Sequence, residues 1–192
     1  MLLLNKEKES ELIIQARCGQ KDSFGPIVEK YWPHVHSVVR RACNISSADD
    51  MCQEIFIRAY SALNQFDTSR PFSPWIMKIA VNFVSEFLRK ESKNNSNVSL
   101  DENYQGRLFG SQGERIVTKI TIDELVEKLP LGLRIVFLLR HGAQLSYEEI
   151  AQILNEPLGT VKTSIFRARE MLRNWFDKDE SAESSGKGVE PI

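Results

Sequence analysis

The sequence predicts an all-α protein built from two small helical domains that a flexible linker joins. Apolar residues recur at spacings of three and four along most of its 192 residues, and no stretch alternates as a half-buried strand does. Residues 91–113 change to Asn, Ser, Gly and charged residues, a composition typical of an exposed linker. An apolar content of 42% is enough for two hydrophobic cores, which excludes a wholly disordered chain.

These shifts in composition divide the chain into four segments. We expect the first helical domain to cover residues 1–92 and the linker to cover residues 93–118. Periodic apolar spacing returns in a second domain, residues 119–177. Residues 178–192 are polar with few large apolar side chains, so we expect a disordered tail there.

The first long helix lies within residues 11–43, where apolar residues repeat at helical spacing. Asp22 or Ser23 can cap it, and Pro26 is tolerated in its first turn. Pro33 comes later in the same stretch. Because proline lacks the amide proton that the helix ladder uses, we expect Pro33 to kink or break this helix.

Two further helices follow in the first domain. The second begins after Ser46-Ser47 and has one apolar side, formed by Met51, Ile55, Ala59 and Leu63. The third is predicted by Ser73-Pro74, an N-cap followed by proline at the first helical position, and it extends to about Lys90. The third helix also has a polar stripe, formed by Lys78, Asn82, Glu86 and Arg89.

The second domain contains a helix-turn-helix pattern. Ser146 and Glu149 have the spacing of a capping box, in which each side chain bonds the backbone amide of the other residue. Residues 155–159 break the first helix, and we expect Thr160 to cap the second. The inward side of the second helix is apolar, with Val161, Ile165, Ala168 and Leu172. Two short helices joined by a Gly/Pro turn match the geometry that inserts a helix into the major groove of DNA.

Charge supports this interpretation locally but not globally. The chain has 25 basic and 26 acidic residues, so its net charge of −1 argues against binding through bulk positive charge. Residues 160–175, however, contain four basic residues and one acidic one, whereas residues 146–156 contain three acidic residues and no basic one. The outward side of the second helix can neutralise phosphates and contact base edges, through Lys162, Thr163, Phe166, Arg167, Arg169 and Arg173. Taken alone, such a face is also what an ordinary solvated helix would show.

Other kinds of chemistry find little support in the sequence. His34 and His36 stand two residues apart and do not share a helical face, and no paired CxxC motif is present, so we expect no metal site. We expect the cysteines, Cys18, Cys43 and Cys52, to be free thiols. There is no Ser/His/Asp arrangement and no Gly-rich phosphate loop, so we expect neither an enzyme nor a cofactor.

Three motifs resemble conserved regions of bacterial sigma factors. Residues 48–60 resemble the second conserved region, and residues 72–82 are similar to its promoter-melting helix. The helix-turn-helix, residues 145–151 and 159–169, resembles the fourth region. The motifs occur in the family's order on both sides of the linker. Together they resemble the extracytoplasmic-function (ECF) group of the sigma-70 family, which keeps only these two domains.

This resemblance implies a transcription initiation factor that binds the beta and beta-prime subunits of core RNA polymerase and directs the enzyme to promoter DNA. It also implies an anti-sigma factor as a regulatory partner, and we expect no small-molecule substrate. The sequence shows neither a signal-peptide apolar core nor an apolar run of membrane length, so we expect a cytoplasmic location and no membrane insertion. The family's polymerase-docking helix corresponds here to residues 48–60. Its expected contacts with the clamp helices of the largest polymerase subunit are Asp49, Asp50, Gln53, Glu54 and Arg58.

The resemblance also implies two sets of DNA contacts. Flipped bases of the minus-ten element would be recognised by a loop and the helix after it, through Phe66, Asp67, Thr68, Ser69, Arg70, Phe72, Trp75, Lys78, Asn82 and Arg89. The minus-thirty-five element would be read as a duplex by Thr160, Lys162, Thr163, Ser164, Phe166, Arg167 and Arg169.

The chain departs from the family pattern at a few positions. Family members commonly have Asp where Glu86 stands and often have Arg where Ser164 stands. Because of the second departure, we expect the minus-thirty-five motif read here to differ. Pro26 and Pro71 are also unusual, and Pro71 is expected to stiffen the base-trapping loop.

Two other classes of protein stay open at the level of sequence. One is a dimeric helix-turn-helix regulator with an N-terminal sensing domain, and the other is a scaffold that binds polymerase without reading DNA. Residues 48–60 and 75–89 argue against the first class, since a sensing domain would not need that pair of motifs. The outward set of Lys162, Phe166 and Arg167 argues against the second.

Overall fold

The computed structural model describes residues 5–43, 48–94 and 121–185, and within these ranges the regular structure is entirely helical. In the first half, the helices are α1 (Lys6–Arg17), α2 (Gly25–Cys43), α3 (Ala48–Ser61) and α4 (Phe72–Asn94), with 3-10 turns at Lys21–Phe24 and Leu63–Gln65. In the second half they are α5 (Ile122–Glu127), α6 (Leu131–His141), α7 (Tyr147–Leu154) and α8 (Leu158–Ser185). The all-α prediction is confirmed.

The first half is a bundle in which α2 packs against α3 and α4. Its core contains apolar side chains that recur every three or four residues, such as Val35 and Val39 on α2 and Cys52 and Ile55 on α3, all completely inaccessible to solvent. Burial of such amphipathic faces, more than intrinsic helix propensity, stabilises helices of this length.

Helix α1 is held to the bundle by a buried carboxylate. Glu9 is only 6% exposed, and it accepts hydrogen bonds from the Lys30 ammonium and, at 2.9 Å, from the Tyr31 hydroxyl. A buried charge is tolerated when it is paired and hydrogen-bonded in this way. Ile13 and Ala16 on the same helix are buried, so α1 is an integral part of the bundle.

Pro33 lies inside α2, which continues without a break from Gly25 to Cys43. The prediction of a break was therefore wrong. A proline in a helix interior costs about 3 kcal/mol because one backbone hydrogen bond is lost. Side chains on both sides of it, including Tyr31, Val35 and Val38, are buried, and their packing offsets that cost.

Helix α4 begins and ends slightly outside its predicted bounds. It starts at Phe72, one residue before the predicted cap Ser73, so Pro74 falls third in the helix, where a backbone amide still lacks an intrahelical partner. It ends at Asn94, beyond residue 92, where the sequence predicted the first domain to end. Most of the predicted linker, residues 95–118, lies outside the described residues.

In the second half, α6 packs against both α7 and α8. A capping box starts α5, where Glu124 N–H donates to the Thr121 hydroxyl at 3.3 Å and Thr121 N–H donates to the Glu124 carboxylate at 2.9 Å. The core between the helices is formed by buried aliphatic side chains: Leu125, Val136, Leu138, Leu139, Ile150, Ile153, Val161 and Ile165.

The two halves contact each other directly. The Arg134 guanidinium on α6 donates to the carbonyl of Ala42 at the end of α2, at 3.1 Å. Asp123 on α5 pairs with Arg40 at 2.8 Å and with Arg41 at 2.9 Å. Helix α7 also packs against α4, and one hydrophobic cluster includes buried residues of both halves.

Helix α8 continues through Ser185, eight residues past position 177, where the sequence predicted the domain to end and a disordered tail to begin. That prediction was wrong for residues 178–185. The segment contains Lys, Glu and Ala, which favour helices, and extending an existing helix requires no new nucleation. Residues 186–192 lie outside the described part of the chain. No helix in the described ranges has the length and apolarity needed to cross a membrane.

Candidate nucleic-acid interface

The helix-turn-helix forms as its sequence predicts. Ser146 caps α7 by accepting from the Glu149 amide at 3.1 Å, and the Glu149 carboxylate accepts from the Ser146 amide at 2.7 Å, which confirms the capping box. Asn155 ends α7 in the left-handed conformation, with a φ of 55° that Asn tolerates better than most residues. This tight ending turns the chain so that α8 packs across α7.

Thr160 does not cap the second helix, because α8 already begins at Leu158. The first backbone bond of the helix runs from the Val161 amide to the Pro157 carbonyl at 3.2 Å. The cap position is therefore Pro157, three residues before the predicted cap. Thr160 lies instead in the first helical turn, where its side chain is exposed and available to a ligand at the helix N-terminus.

The outward face of α8 agrees with its predicted exposure. Val161, Ile165 and Ala168 are buried against the rest of the domain, whereas Phe166 is 64% exposed. A single exposed apolar side chain is ordinary on a protein surface, so Phe166 supports binding only through its place among the basic residues of this face. The exposed members of the predicted set are Thr160, Lys162, Thr163, Phe166, Arg167 and Arg169, and Ser164 is half-buried.

Two of the basic residues of α8, Arg169 and Arg173, contact other side chains of the same chain. Arg169 lies 3.2 Å from the Nε2 atom of His141, and Arg173 lies 3.8 Å from the carboxylate of Glu170. Partial burial, together with the neighbouring cations, lowers the pKa of His141, so its neutral form is favoured. Within the described residues, no ion pair is found for Lys162 or Arg167.

The loop before α4 contains two phenylalanines that are part of the core. Phe66 is 5% exposed and Phe72 is 0% exposed. Their rings meet edge to face with centroids 5.2 Å apart, and each lies 5.1–5.2 Å from Trp75. Phe72 also contacts Tyr31 of α2. Direct base contact by Phe66 and Phe72, which the resemblance implied, is therefore corrected: large apolar rings gain more from burial in this cluster than from exposure in the loop.

Polar residues between these two phenylalanines face solvent. Asp67, Ser69 and Arg70 are exposed, and Thr68 is half-buried. The Asp67 carboxylate accepts from the Ser69 amide at 3.0 Å and from the Ser69 hydroxyl at 2.7 Å, which forms an Asx turn. These hydrogen bonds lower the pKa of Asp67, so the carboxylate stays ionised and accepts but does not donate.

The polar stripe of α4 is also largely exposed. Lys78, Asn82 and Arg89 are exposed, whereas Trp75 is half-buried. Glu86, the remaining member of the stripe, pairs with Arg58 of α3 at 3.2 Å. The stripe therefore offers two cations and one amide to a ligand, and Glu86 connects it to the neighbouring helix.

Helix α3 presents a second polar face. Asp49, Asp50 and Gln53 are exposed. Arg58 is held in place by Glu54 at 3.0 Å, by Glu86 and by the Phe83 ring, so it braces α3 against α4 as well as facing solvent. These hydrogen bonds raise the pKa of Arg58.

Ile57 is an exposed apolar residue that the sequence reasoning missed on α3. It is 60% exposed and lies one helical turn after Gln53. Its signal was present in the sequence as an apolar residue outside the buried set of Met51, Ile55 and Ala59.

The cysteines and histidines differ in their burial and in their contacts. Cys43 and Cys52 are buried, and burial raises the pKa of their thiols to about 11 and about 12, so they stay protonated. Cys18 is free and exposed. His36 lies 3.4 Å from Asp49 and stacks on Trp32. In the described ranges, no group of three or more His, Cys, Asp or Glu side chains is placed to hold a metal ion.

Comparisons with known proteins agree with this geometry. Residues 27–94 match the family model of sigma-70 region 2, and residues 119–172 match that of sigma-70 region 4. The ECF RNA polymerase sigma factor SigW of Bacillus subtilis is 34% identical over 180 residues, which cover 84% of this chain and 92% of the relative. The ECF RNA polymerase sigma-E factor of Escherichia coli K12 is 34% identical over 174 residues, covering 85% and 91%. These relatives are named as sigma factors rather than as enzymes.

Two solved structures share the fold. CnrH, solved in complex with the cytosolic domain of CnrY, superposes with a TM-score of 0.66 at 24% identity and covers 89% of this chain and 98% of its own. The sigma factor RpoE of Bartonella quintana, solved with the anti-sigma factor NepR, gives a TM-score of 0.62 at 19% identity, covering 79% and 94%. The two family models and the curated relatives together establish that this chain belongs to the ECF group of the sigma-70 family and is a sigma factor of RNA polymerase.

Proposed function

We propose that this sigma factor uses three separate surfaces for its three tasks. The exposed face of α3 binds core polymerase, the loop 67–71 with the stripe of α4 captures the minus-ten strand, and the outward face of α8 reads the minus-thirty-five duplex. The observation that carries the proposal is that each surface is largely exposed and lies within residues that match sigma-70 region 2 or region 4. One chain can therefore bind protein and DNA at once.

The polymerase surface combines negative charge with one apolar residue. Asp49, Asp50 and Glu54 lie on the side of α3 that faces solvent, and Ile57 stands among them. Charged residues steer association and set specificity, and burial of an exposed apolar side chain at an interface contributes favourable free energy to binding. Such a surface suits a partner that offers cations around an apolar patch.

The minus-ten surface places donors beside an ionised acceptor. Asn82 has an amide that can both donate to and accept from a base edge, and Lys78 and Arg89 can neutralise phosphates. Asp67 accepts from an amino group of an unstacked base. Half-buried Trp75 lies between the loop and the stripe, where part of its ring can contact a base.

The minus-thirty-five surface is the N-terminal part of α8. Lys162 and Arg167 can donate to guanine or phosphate, and Phe166 can contact a thymine methyl. Thr163 donates its hydroxyl to the Gly159 carbonyl at 2.9 Å, which leaves the oxygen free to accept. Ser164 is half-buried, so its contribution is expected to be smaller than that of its neighbours.

The two halves have to separate before both promoter elements can be read. Elements named minus-ten and minus-thirty-five are about 25 base pairs apart, which is roughly 85 Å of duplex at 34–36 Å per helical turn. Helix α7 packs directly on α4, so the two DNA surfaces are much closer than that here. We therefore propose that residues 93–118 connect two domains that part on the polymerase.

We further propose that an anti-sigma factor controls this protein, and that it acts in the cytoplasm, where core polymerase and promoters are found. The two structural neighbours support the first point because each was solved with a protein partner, CnrY or NepR. We also infer that the protein has no catalytic chemistry of its own, since the bond-forming steps of transcription belong to the polymerase.

The test is runoff transcription with the cognate core polymerase on a library of candidate promoters. Promoter-dependent transcripts are expected only when this chain is added. Asn82→Ala should impair open-complex formation and leave core binding unchanged. Gln20→Ala, which removes an exposed side-chain amide that belongs to neither proposed DNA surface, should behave as the unmodified protein. If the chain gives no transcript with its core and binds duplex DNA alone as a dimer, the protein is a helix-turn-helix regulator instead.

A further inference from the structure

The loop that carries the proposed minus-ten contacts is held from outside by α1. Arg17, the last residue of that helix, donates through Nε to the Leu63 carbonyl at 2.9 Å and through Nη2 to the Phe66 carbonyl. These carbonyls are 46 and 49 residues away along the chain, so the contact is tertiary. A guanidinium can bond two carbonyls at once because its donors form a rigid fork.

Of the two carbonyls that Arg17 binds, the Phe66 carbonyl lies nearer to the proposed base contacts. Phe66 is the point where the chain leaves the 3-10 turn and becomes extended, with φ −76° and ψ 130°. The next residue is Asp67, which begins the exposed Asx turn. Arg17 therefore fixes the peptide immediately before the residues that would contact bases. The other end of the loop is fixed by buried Phe72.

Arg17 is itself held firmly in place. Its helix is anchored by buried Ile13 and Ala16 and by the paired carboxylate of Glu9. A second contact joins the same two elements, since the Ser10 hydroxyl lies 3.5 Å from the Thr68 carbonyl. Helix α1 therefore supports the loop at two points. It also precedes residues 27–94, the part of the chain that matches sigma-70 region 2.

We propose that Arg17 is a positioning residue for capture of the minus-ten strand. It acts through the backbone of the loop and makes no contact with DNA. The inference rests on the proposed role of this loop in base capture. Holding Phe66 and Asp67 in one conformation pre-organises the acceptor and removes part of the ordering cost that strand binding would otherwise carry.

The test compares Arg17→Lys and Arg17→Gln with the unmodified protein in reconstituted holoenzyme. Lysine keeps the charge but lacks the rigid fork, and glutamine keeps one amide donor without the charge. The probe is a pool of randomised, fluorescently labelled single-stranded DNA oligonucleotides. We expect both variants to bind the selected strand roughly 10-fold more weakly, as loss of a charge-assisted hydrogen bond predicts. We also expect them to select a broader set of bases.

Two controls separate positioning from general destabilisation. Ile13→Val loosens the buried side of α1 but leaves the guanidinium in place, and Lys8→Ala removes an exposed charge from the same helix. Neither should change the set of selected bases, even where the Tm falls. Core binding should be equal in all variants.

The outcomes also distinguish this inference from the proposed function. If Arg17→Lys and Arg17→Gln select the same bases with the same affinity as the unmodified protein while Asn82→Ala is weakened, Arg17 is not a positioning residue and the loop's role stands. The inference is also overturned if Ile13→Val, at the same Tm as an Arg17 variant, broadens the set of selected bases equally. Loss of stability alone would then explain the effect. If unmodified holoenzyme selects no strand, both the proposed function and this inference fail.

Discussion

Replacing Phe72 tests whether the aromatic cluster before α4 is core or DNA surface. Its side chain is completely inaccessible to solvent, and its ring lies 5.2 Å from each of Tyr31, Phe66 and Trp75. Truncating a buried Phe to Ala typically costs about 3–5 kcal/mol, because transferred area is lost and a cavity remains. For a chain of this size that corresponds to a fall in Tm of roughly 6–20 °C.

Phe166 offers a matched control of the same residue type. It is 64% exposed on α8, so Phe166→Ala should change the free energy of unfolding by no more than about 0.5 kcal/mol. The same substitution should weaken binding of a minus-thirty-five duplex, since an apolar contact with the groove is lost. We therefore expect Phe72→Ala to lower the free energy of unfolding strongly, and Phe166→Ala to weaken duplex binding with little change in stability.

The assay is urea unfolding followed by circular dichroism, together with anisotropy measurements of holoenzyme on labelled duplex and single-stranded DNA. The decisive quantity is the change in unfolding free energy for Phe72→Ala. A loss below about 1 kcal/mol, accompanied by a large loss of strand binding, would refute the assignment of Phe72 to the core. Phe72 would then be a base contact, as the family resemblance first implied.

Three further predictions concern the helix-turn-helix. Arg167→Ala should weaken minus-thirty-five binding by about 1–3 kcal/mol in an anisotropy titration, while Lys128→Ala, which removes one exposed charge from the same half, should not; equal losses would indicate a general charge effect. Ser146→Ala should cost about 0.5–2 kcal/mol in urea unfolding and Ser146→Thr much less, and an unchanged Ser146→Ala variant would contradict the capping box. Since the pKa of His141 is lowered in the folded state, the unfolded chain binds more protons, and stability should fall as pH drops from above 6.5 through the lowered value. His141→Gln should reduce this dependence in a pH series of unfolding curves, and an unaltered slope would assign it to other groups.

Local sequence rules predicted the parts of the fold that neighbouring residues control. The capping box of α7 requires only Ser146 and Glu149, three positions apart, so its hydrogen bonds could be read directly from the chain. The buried side of α8 followed from helical periodicity in the same way. Two local rules failed. Helix α8 begins at Leu158 rather than after Thr160, and α2 continues through Pro33, where buried side chains on both sides stabilise the helix.

In the candidate site, too, some features could be predicted from local sequence and others could not. Exposure of Lys162, Phe166 and Arg167 was predictable, because a helix with one apolar side presents the opposite side to solvent. The role of each residue in the loop before α4 was not, because loops lack a fixed periodicity. The sequence indicated aromatic and polar residues there, and only the packing of Phe66 and Phe72 against Trp75 separated core rings from exposed polar groups.

The chain's residues alone therefore predicted the helical class and the helix-turn-helix, since these depend on short-range spacing. Its motifs, in their order, carried the resemblance to the ECF sigma group, and the comparisons with known proteins then established membership. The three-dimensional arrangement was needed to show which aromatic rings are buried, how α1 reaches the loop through Arg17 and how the two halves meet through Arg134. Each of these features joins residues far apart in sequence. A burial or a hydrogen bond of that kind depends on the packing of whole helices, which no local pattern records.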